Sequence, residues 1–241
     1  MSEFYIGYLP NAPKRLGRTL FRLVLALLCL IAAVSLLLVF GQQPFADSRF
    51  EYGLYRDYEG VIVEEPHPAL LTGKGRFLLV APGKHGADDL VRGLDLRVVQ
   101  LRGSLIYRGE DRMLEIDPRS IRATSGRAEA ERAADLGLVT MAGEIVDSKC
   151  YFGVMNPGSG KVHRDCAVRC ISGGIPPALI VKDSSGDLRT LLLTGPSGRQ
   201  LNREVLDFVA EPVQISGRLL QSGDRLILEA EPAAIRRAAR E

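Results

Sequence analysis

The sequence predicts a mainly β protein in which one N-terminal transmembrane helix is followed by two tandem small β-barrels. Three observations predict it. A run of 18 residues without a charge, 23–40, lies near the N-terminus. A stretch of 45 residues further on recurs, in the second half of the chain, with the periodicity of strands. The second copy carries one long insertion, and that insertion holds three of the four cysteines.

At 1.5 Å per residue the apolar run spans roughly 27 Å, close to the hydrocarbon thickness of a bilayer. Arg22 can snorkel, so the span begins near Leu20 and is placed at 20–41. Lys14, Arg15, Arg18 and Arg22 precede it; Asp47, Glu51, Asp57 and Glu59 follow, mixed with Arg49 and Arg56. The positive-inside rule then makes 1–19 a cytoplasmic leader and exports everything from about 42. That is a single-pass protein of the inner (cytoplasmic) membrane, with its C-terminal domains in the periplasm. The rival reading is a cleaved signal peptide. It calls for a shorter apolar region and a small-x-small site, which Gln42, Gln43, Pro44, Phe45 and Ala46 do not supply. The Tyr and Phe residues of the leader either touch the interface or a partner, or belong to a plain tail.

A chain of 241 residues makes one large or two small domains. A net charge of +2 and the absence of Trp argue against a nucleic-acid partner. Cys29 lies in the apolar run, leaving Cys150, Cys166 and Cys170 in the exported part. An odd number there leaves one thiol over if disulfides form.

Shifting the sequence by 114 positions places 78–122 on 192–236 without a gap, and fourteen positions are identical. About three are expected by chance. Leu78-Leu79 falls on Leu192-Leu193, Val99-Gln100 on Val213-Gln214, Leu114-Glu115 on Leu228-Glu229, and Ile121-Arg122 on Ile235-Arg236. The beginning recurs at an offset of 83, where Gly60 to Glu64 meets Gly143 to Asp147. The second copy therefore carries 31 extra residues between Asp147 and Leu192.

Periodicity predicts strands in the first copy at 58–64, 76–81, 97–107 and 112–117, with a short helix at 87–93. In the second it predicts strands at 138–147, 178–182, 188–194, 212–220 and 225–230, with a helix at 201–208 capped by Asn202. Val213, Ile215, Gly217 and Leu219 alternate with polar residues, as in a half-buried strand. Ser222-Gly223-Asp224 and the run 108–111 supply hairpin turns. The order β-β-β-α-β-β resembles the OB-fold, a five-stranded Greek-key barrel. The predicted units are OB-like barrel 1 at 48–124, a linker at 125–137 forming a surface helix or a flexible joint, and OB-like barrel 2 at 138–237 with its insertion at 148–178.

Residues 156–160 read as a turn and 161–172 as a helix that stops at Gly173. On that helix His163, Cys166 and Cys170 are spaced i, i+3, i+7 and share a face, over which Cys150 can close. Cys150, His163, Cys166 and Cys170 are therefore a candidate tetrahedral set for zinc, and the same donors suit copper(I). The competing reading is a disulfide from Cys150 to Cys166 or Cys170, stapling the insertion to its barrel. A third is a redox or metal-transfer site with Cys166 and Cys170 as the exchanging pair. Asp147, Lys149, Arg164 and Asp165 read as solvated neighbours able to tune the thiols, and His67 and His85 as surface histidines. The run Pro82-Gly83-Lys84-His85-Gly86 looks like a phosphate loop but lacks the spacing for one, so it reads as a barrel loop. No catalytic triad, paired carboxylates or nucleotide fingerprint is present, and no enzyme is predicted.

Asp147, Cys150, Gly153, His163, Cys166, Cys170, Gly174 and Pro176 form the run DSKC…HxxCAxxC…GGxPP. It resembles the signature of an uncharacterised family of bacterial membrane-anchored proteins with OB-like exported domains. The resemblance covers the insertion alone and implies location and fold, with no activity. A looser similarity is to periplasmic haem chaperones, which also join one anchor to an OB-like barrel. Their haem-binding His near the C-terminus has no counterpart in 233–241, so haem is not implied. The expected function is a membrane-anchored periplasmic binding or assembly module beside a membrane-protein partner, such as a respiratory or redox complex. The alternative is thiol-redox or metal transfer.

Overall fold

The computed structural model describes residues 13–41, 47–129 and 133–238. Helix α1 (Lys14–Gly41) has no buried residue and is long and apolar enough to cross a membrane. It begins before the expected span, taking in the basic residues 14–22. The leader up to residue 12 and the candidate cleavage site at 42–46 lie outside the described residues.

From Asp47 onward the chain forms a separate compact unit built from two closed five-stranded barrels. Barrel 1 contains β1 (Ser48–Val63), β2 (Ala69–Thr72), β3 (Gly75–Ala81), β4 (His85–Gly86), the single helical turn α2 (Asp88–Val91), β5 (Arg97–Arg108), β6 (Asp111–Ile116) and β7 (Arg122–Arg127). Barrel 2 contains β8 (Ala134–Asp147), the inserted helix α3 (Arg164–Ser172), β9 (Pro177–Lys182), β10 (Leu188–Thr194), β11 (Pro212–Ser222), β12 (Arg225–Glu229) and β13 (Ile235–Arg237). The first closes as β1-β2-β3-β6-β5-β1 and the second as β8-β9-β10-β12-β11-β8. Every pairing in these circuits is antiparallel except β3–β6 and β10–β12. This is the OB-like strand order in both. Register agrees too: Leu78 lies opposite Met113 in barrel 1, and Leu192 opposite Ile227 in barrel 2.

Alternation along the strands sends each barrel's side chains to two different cores. Phe77, Leu79, Leu114 and Ile116 fill barrel 1, while Leu191, Leu193, Ile215 and Leu228 fill barrel 2. The intervening Leu78, Val80, Met113, Leu192 and Ile227 face outward, away from the barrel interiors. They meet in a third core between the barrels, together with Cys150, Tyr151, Phe152, Cys170 and Ile175 of the insertion. Polar ties reinforce the seam. Arg225, 3% exposed at its side chain, pairs with Asp111, and Arg76 Nη2 donates to Ser222 Oγ at 2.7 Å. Asp111 and Arg225 occupy matching places, 114 residues apart, in the two copies. Opposite charges at matching places therefore pair across the seam.

Several sequence expectations are corrected. Strand β2 is added, since four residues between prolines and a turn show no measurable period. The helix expected at 201–208 is a set of turns ending in one 3-10 turn, Leu206–Phe208. Leu201, Val205 and Val209 are fully buried in the barrel 2 core, so packing holds that segment where local propensity is weak. Asn202 does not cap it; its amide donates to the Ile171 and Ile175 carbonyls at 2.8 and 3.0 Å, at the C-terminal end of α3. The expected linker 125–137 is strand at both ends, in β7 and β8. Its central residues 130–132 lie outside the described residues.

His67 is likewise not a surface residue: it is 1% exposed, whereas His85 is exposed. Burial pushes the His67 imidazole down to about 4, only partly offset by the Leu193 carbonyl. A histidine held neutral in the fold takes up its proton first in the unfolded chain. Stability it contributes is complete above pH 6.5 and is lost as pH falls toward 4, by about 3 kcal/mol. Urea titrations at pH 7 and pH 4.5 should show this loss shrinking by most of that amount in His67→Leu. An equal acid loss in both proteins would assign it elsewhere.

Candidate metal centre

The insertion occupies the connection between β8 and β9, the first two strands of barrel 2. It lies in the seam between the barrels, where its apolar residues cover both outer faces. Strand β8 ends at Asp147, and the chain turns at once through a wide helical turn, Cys150–Val154. Asp147 Oδ1 accepts the Cys150 N–H at 2.8 Å, which satisfies an orphan donor at the start of that turn. Its Oδ2 lies 2.9 Å from His163 Nε2. Asp147 is fully buried and His163 is 4% exposed, so this is an internal carboxylate–imidazole pair.

Helix α3 then carries Cys166 and Cys170 back toward Cys150. Its two flanks are apolar in different directions: Ala167 and Ile171 enter the barrel 2 core, while Cys170 enters the seam. Gly173 ends the helix, its N–H donating to the Arg169 and Cys170 carbonyls, each at 3.1 Å. A glycine is required there, since a Cβ would lie 1.9 Å from the Lys84 carbonyl oxygen. Gly86 N–H in turn donates to the Gly173 carbonyl at 2.9 Å. The loop after β3 of barrel 1 is thereby pressed onto the end of the inserted helix.

That contact brings in Lys84, which the sequence places in a barrel loop. Lys84 Nζ lies 2.7 Å from Cys166 Sγ and 3.7 Å from Cys170 Sγ. The hydrogen bond to Cys166 raises the Lys84 ammonium above its ordinary value. Lys149, expected as a solvated neighbour, is 3% exposed. Its three donors are all used, on Glu115 Oε2 at 2.5 Å, the Gly83 carbonyl at 2.7 Å and the Ala81 carbonyl at 3.0 Å. Lys149 thus ties the insertion to the loop that presents Lys84. Ser148 closes the other side, donating through Oγ and N–H to the Pro176 carbonyl. Of the other two residues read as neighbours, Asp165 is exposed and Arg164 pairs with Glu211 at 3.4 Å.

Cys150 and Cys170 are buried and Cys166 is partly exposed. The disulfide expected between Cys150 and Cys166 or Cys170 is not formed. All three thiols are free, and Cys150 Sγ lies 4.0 Å from Cys170 Sγ, about 2 Å beyond bonding distance. The sulfurs form a triangle, one corner of which is held by Lys84. The Cys170 thiol is held down to about 7, first by the hydrogen bond from Cys150 and then by the Lys84 ammonium. Burial and Asp147 oppose this. Cys150 moves the other way, upward, because it is the donor to Cys170 and is buried.

The four ligands expected to converge do so only in part. The ligand atoms of Cys150, Cys166 and Cys170 lie within 4.8 Å of one another, as do those of Asp147, Cys150 and His163. Among the described residues these two triads share Cys150, and either is able to hold a metal ion. Softness distinguishes them: three thiolates suit zinc or copper(I), and the carboxylate–imidazole pair is the kind that orients ligands from behind. No protein-family model matches the chain, and no curated protein matches it.

Proposed function

We propose that this chain is a membrane-anchored periplasmic binding and assembly module whose Cys150, Cys166 and Cys170 hold a thiophilic metal ion, zinc or copper. The observation that carries the reading is the convergence of three free sulfurs within 4.8 Å in a seam that also joins two barrels. Metal binding there contributes to folding free energy, because the unfolded chain has no preformed site. An ion between the two ends of the insertion fixes the seam, and with it the relation of the barrels. The basic flank of α1 supports a cytoplasmic N-terminus and an exported barrel unit. A tethered, rigid two-barrel body of this kind serves a membrane-protein partner, such as a redox complex. The likeness of its DSKC…GGxPP run to membrane-anchored OB-like proteins agrees with that location.

The test is elemental mass spectrometry on the full chain, extracted from membranes in detergent. Near one zinc or copper per chain is expected, with a membrane protein co-purifying. A metal-free monomer with three labelled exported thiols would overturn the reading. A second reading, thiol exchange or metal transfer, is favoured by one observation: Cys166 is partly exposed while its two neighbours are buried. It predicts that Cys166→Ser abolishes labelling by a bulky thiol reagent and the cellular phenotype together. Labelling lost without a phenotype would remove it.

A further inference from the structure

We infer that the centre is a three-coordinate copper(I) site rather than a tetrahedral zinc site. The inference rests on the metal reading above and narrows it to one ion.

Zinc in structural sites is almost always held by four protein ligands. Here the fourth candidate, His163, is not within ligand range of all three sulfurs; it groups with Cys150 and Asp147 instead. Its Nε2 is engaged by the fully buried Asp147 carboxylate at 2.9 Å. Asp147 is itself fixed by the Cys150 N–H at 2.8 Å, so moving the ring toward Cys166 leaves a fully buried carboxylate without its imidazole partner. A fourth ligand position beside Cys166 and Cys170 is met by Lys84, whose ammonium has three donors and no lone pair to give.

One ion about 2.3 Å from each sulfur is able to bridge Cys150 and Cys170, whose sulfurs lie 4.0 Å apart. Three thiolates are the soft donors that favour copper(I), and the ion needs no fourth ligand from solvent in a seam where two of the three cysteines are buried. Each thiol that ligates releases its proton to solvent. The Lys84 ammonium offsets part of the negative charge the thiolates bring.

The test uses the full chain in detergent, stripped of metal and kept reduced under anaerobic conditions. It is titrated with copper(I) against a copper(I)-specific chelator and, separately, with zinc against a zinc chelator. Copper is expected to bind at one ion per chain and to resist a tenfold excess of zinc. X-ray absorption at the copper edge should show three sulfur neighbours and no nitrogen. Cys150→Ser, Cys166→Ser and Cys170→Ser should each weaken copper binding by more than about 100-fold, and Lys84→Met by about 10-fold. His163→Gln should keep the stoichiometry, and the absorption spectrum of the unmodified chain decides the point if that variant fails to fold. Tight zinc with three sulfurs and one nitrogen would overturn the copper inference and leave the metal reading standing. Binding of neither ion would overturn both.

Discussion

Lys149→Met is expected to destabilise the two-barrel unit by about 3–5 kcal/mol, the cost of breaking a buried ion pair from one side. Methionine nearly preserves the volume, so the loss is electrostatic. Glu115, 6% exposed, is left as a buried carboxylate with no cation, and the Ala81 and Gly83 carbonyls lose their donor. Replacing both partners, Lys149→Met with Glu115→Leu, should recover most of the loss, since an apolar pair carries no desolvation penalty. Urea unfolding of the detergent-solubilised chain measures all three proteins. The same experiment reads the site. Once the loop at 82–86 is loosened, Lys84 leaves Cys166, and Cys166 should become more open to thiol reagents. A loss below about 1 kcal/mol would mean that the pair does not hold the seam.

Phe152→Ala should cost about 3–5 kcal/mol. Phe152 is fully buried in the core between the barrels, and the Arg225 guanidinium lies 5.6 Å from its ring centroid. Truncation opens a cavity walled by strands of two closed barrels, which are poorly able to collapse into it. It also removes the ring from beside a buried cation already committed to Asp111. Phe152→Leu, which keeps more of the volume, should cost less than about 1.5 kcal/mol. Equal midpoints for the two variants would show that the seam relaxes around the missing ring.

The two predictions fall on residues that the sequence treats very differently. Phe152 is an apolar residue in a cysteine-rich insertion, and its burial is an ordinary expectation. Lys149 reads as a solvated charge, because burying a lysine is costly unless all its donors find partners. Its partners lie 34, 66 and 68 residues away, in the other barrel. No local pattern carries that information. Lys84 is hidden for the same reason: its contact with Cys166 spans 82 residues, and the matching place in the second copy is Gly198.

By itself the sequence determined the elements whose signals are local. The uncharged run of 23–40 specifies a helix able to cross a membrane, because its length and composition match a bilayer. Alternating side chains specify the strands, and recurrence at an offset of 114 specifies that the same strand pattern occurs twice. Helical spacing places Cys166 and Cys170 on one face of α3, with Gly173 as its stop. Only the tertiary structure decided what the outward residues of β3, β6, β10 and β12 cover, since one period serves equally for a solvated and a buried outer face. It alone kept His163 apart from Cys166 and Cys170, by giving the imidazole to a carboxylate that also caps the turn at Cys150. It alone filled the fourth direction with Lys84. Ligand sets are distances among side chains, and those distances are fixed where two barrels pack, far beyond the reach of spacing along one helix.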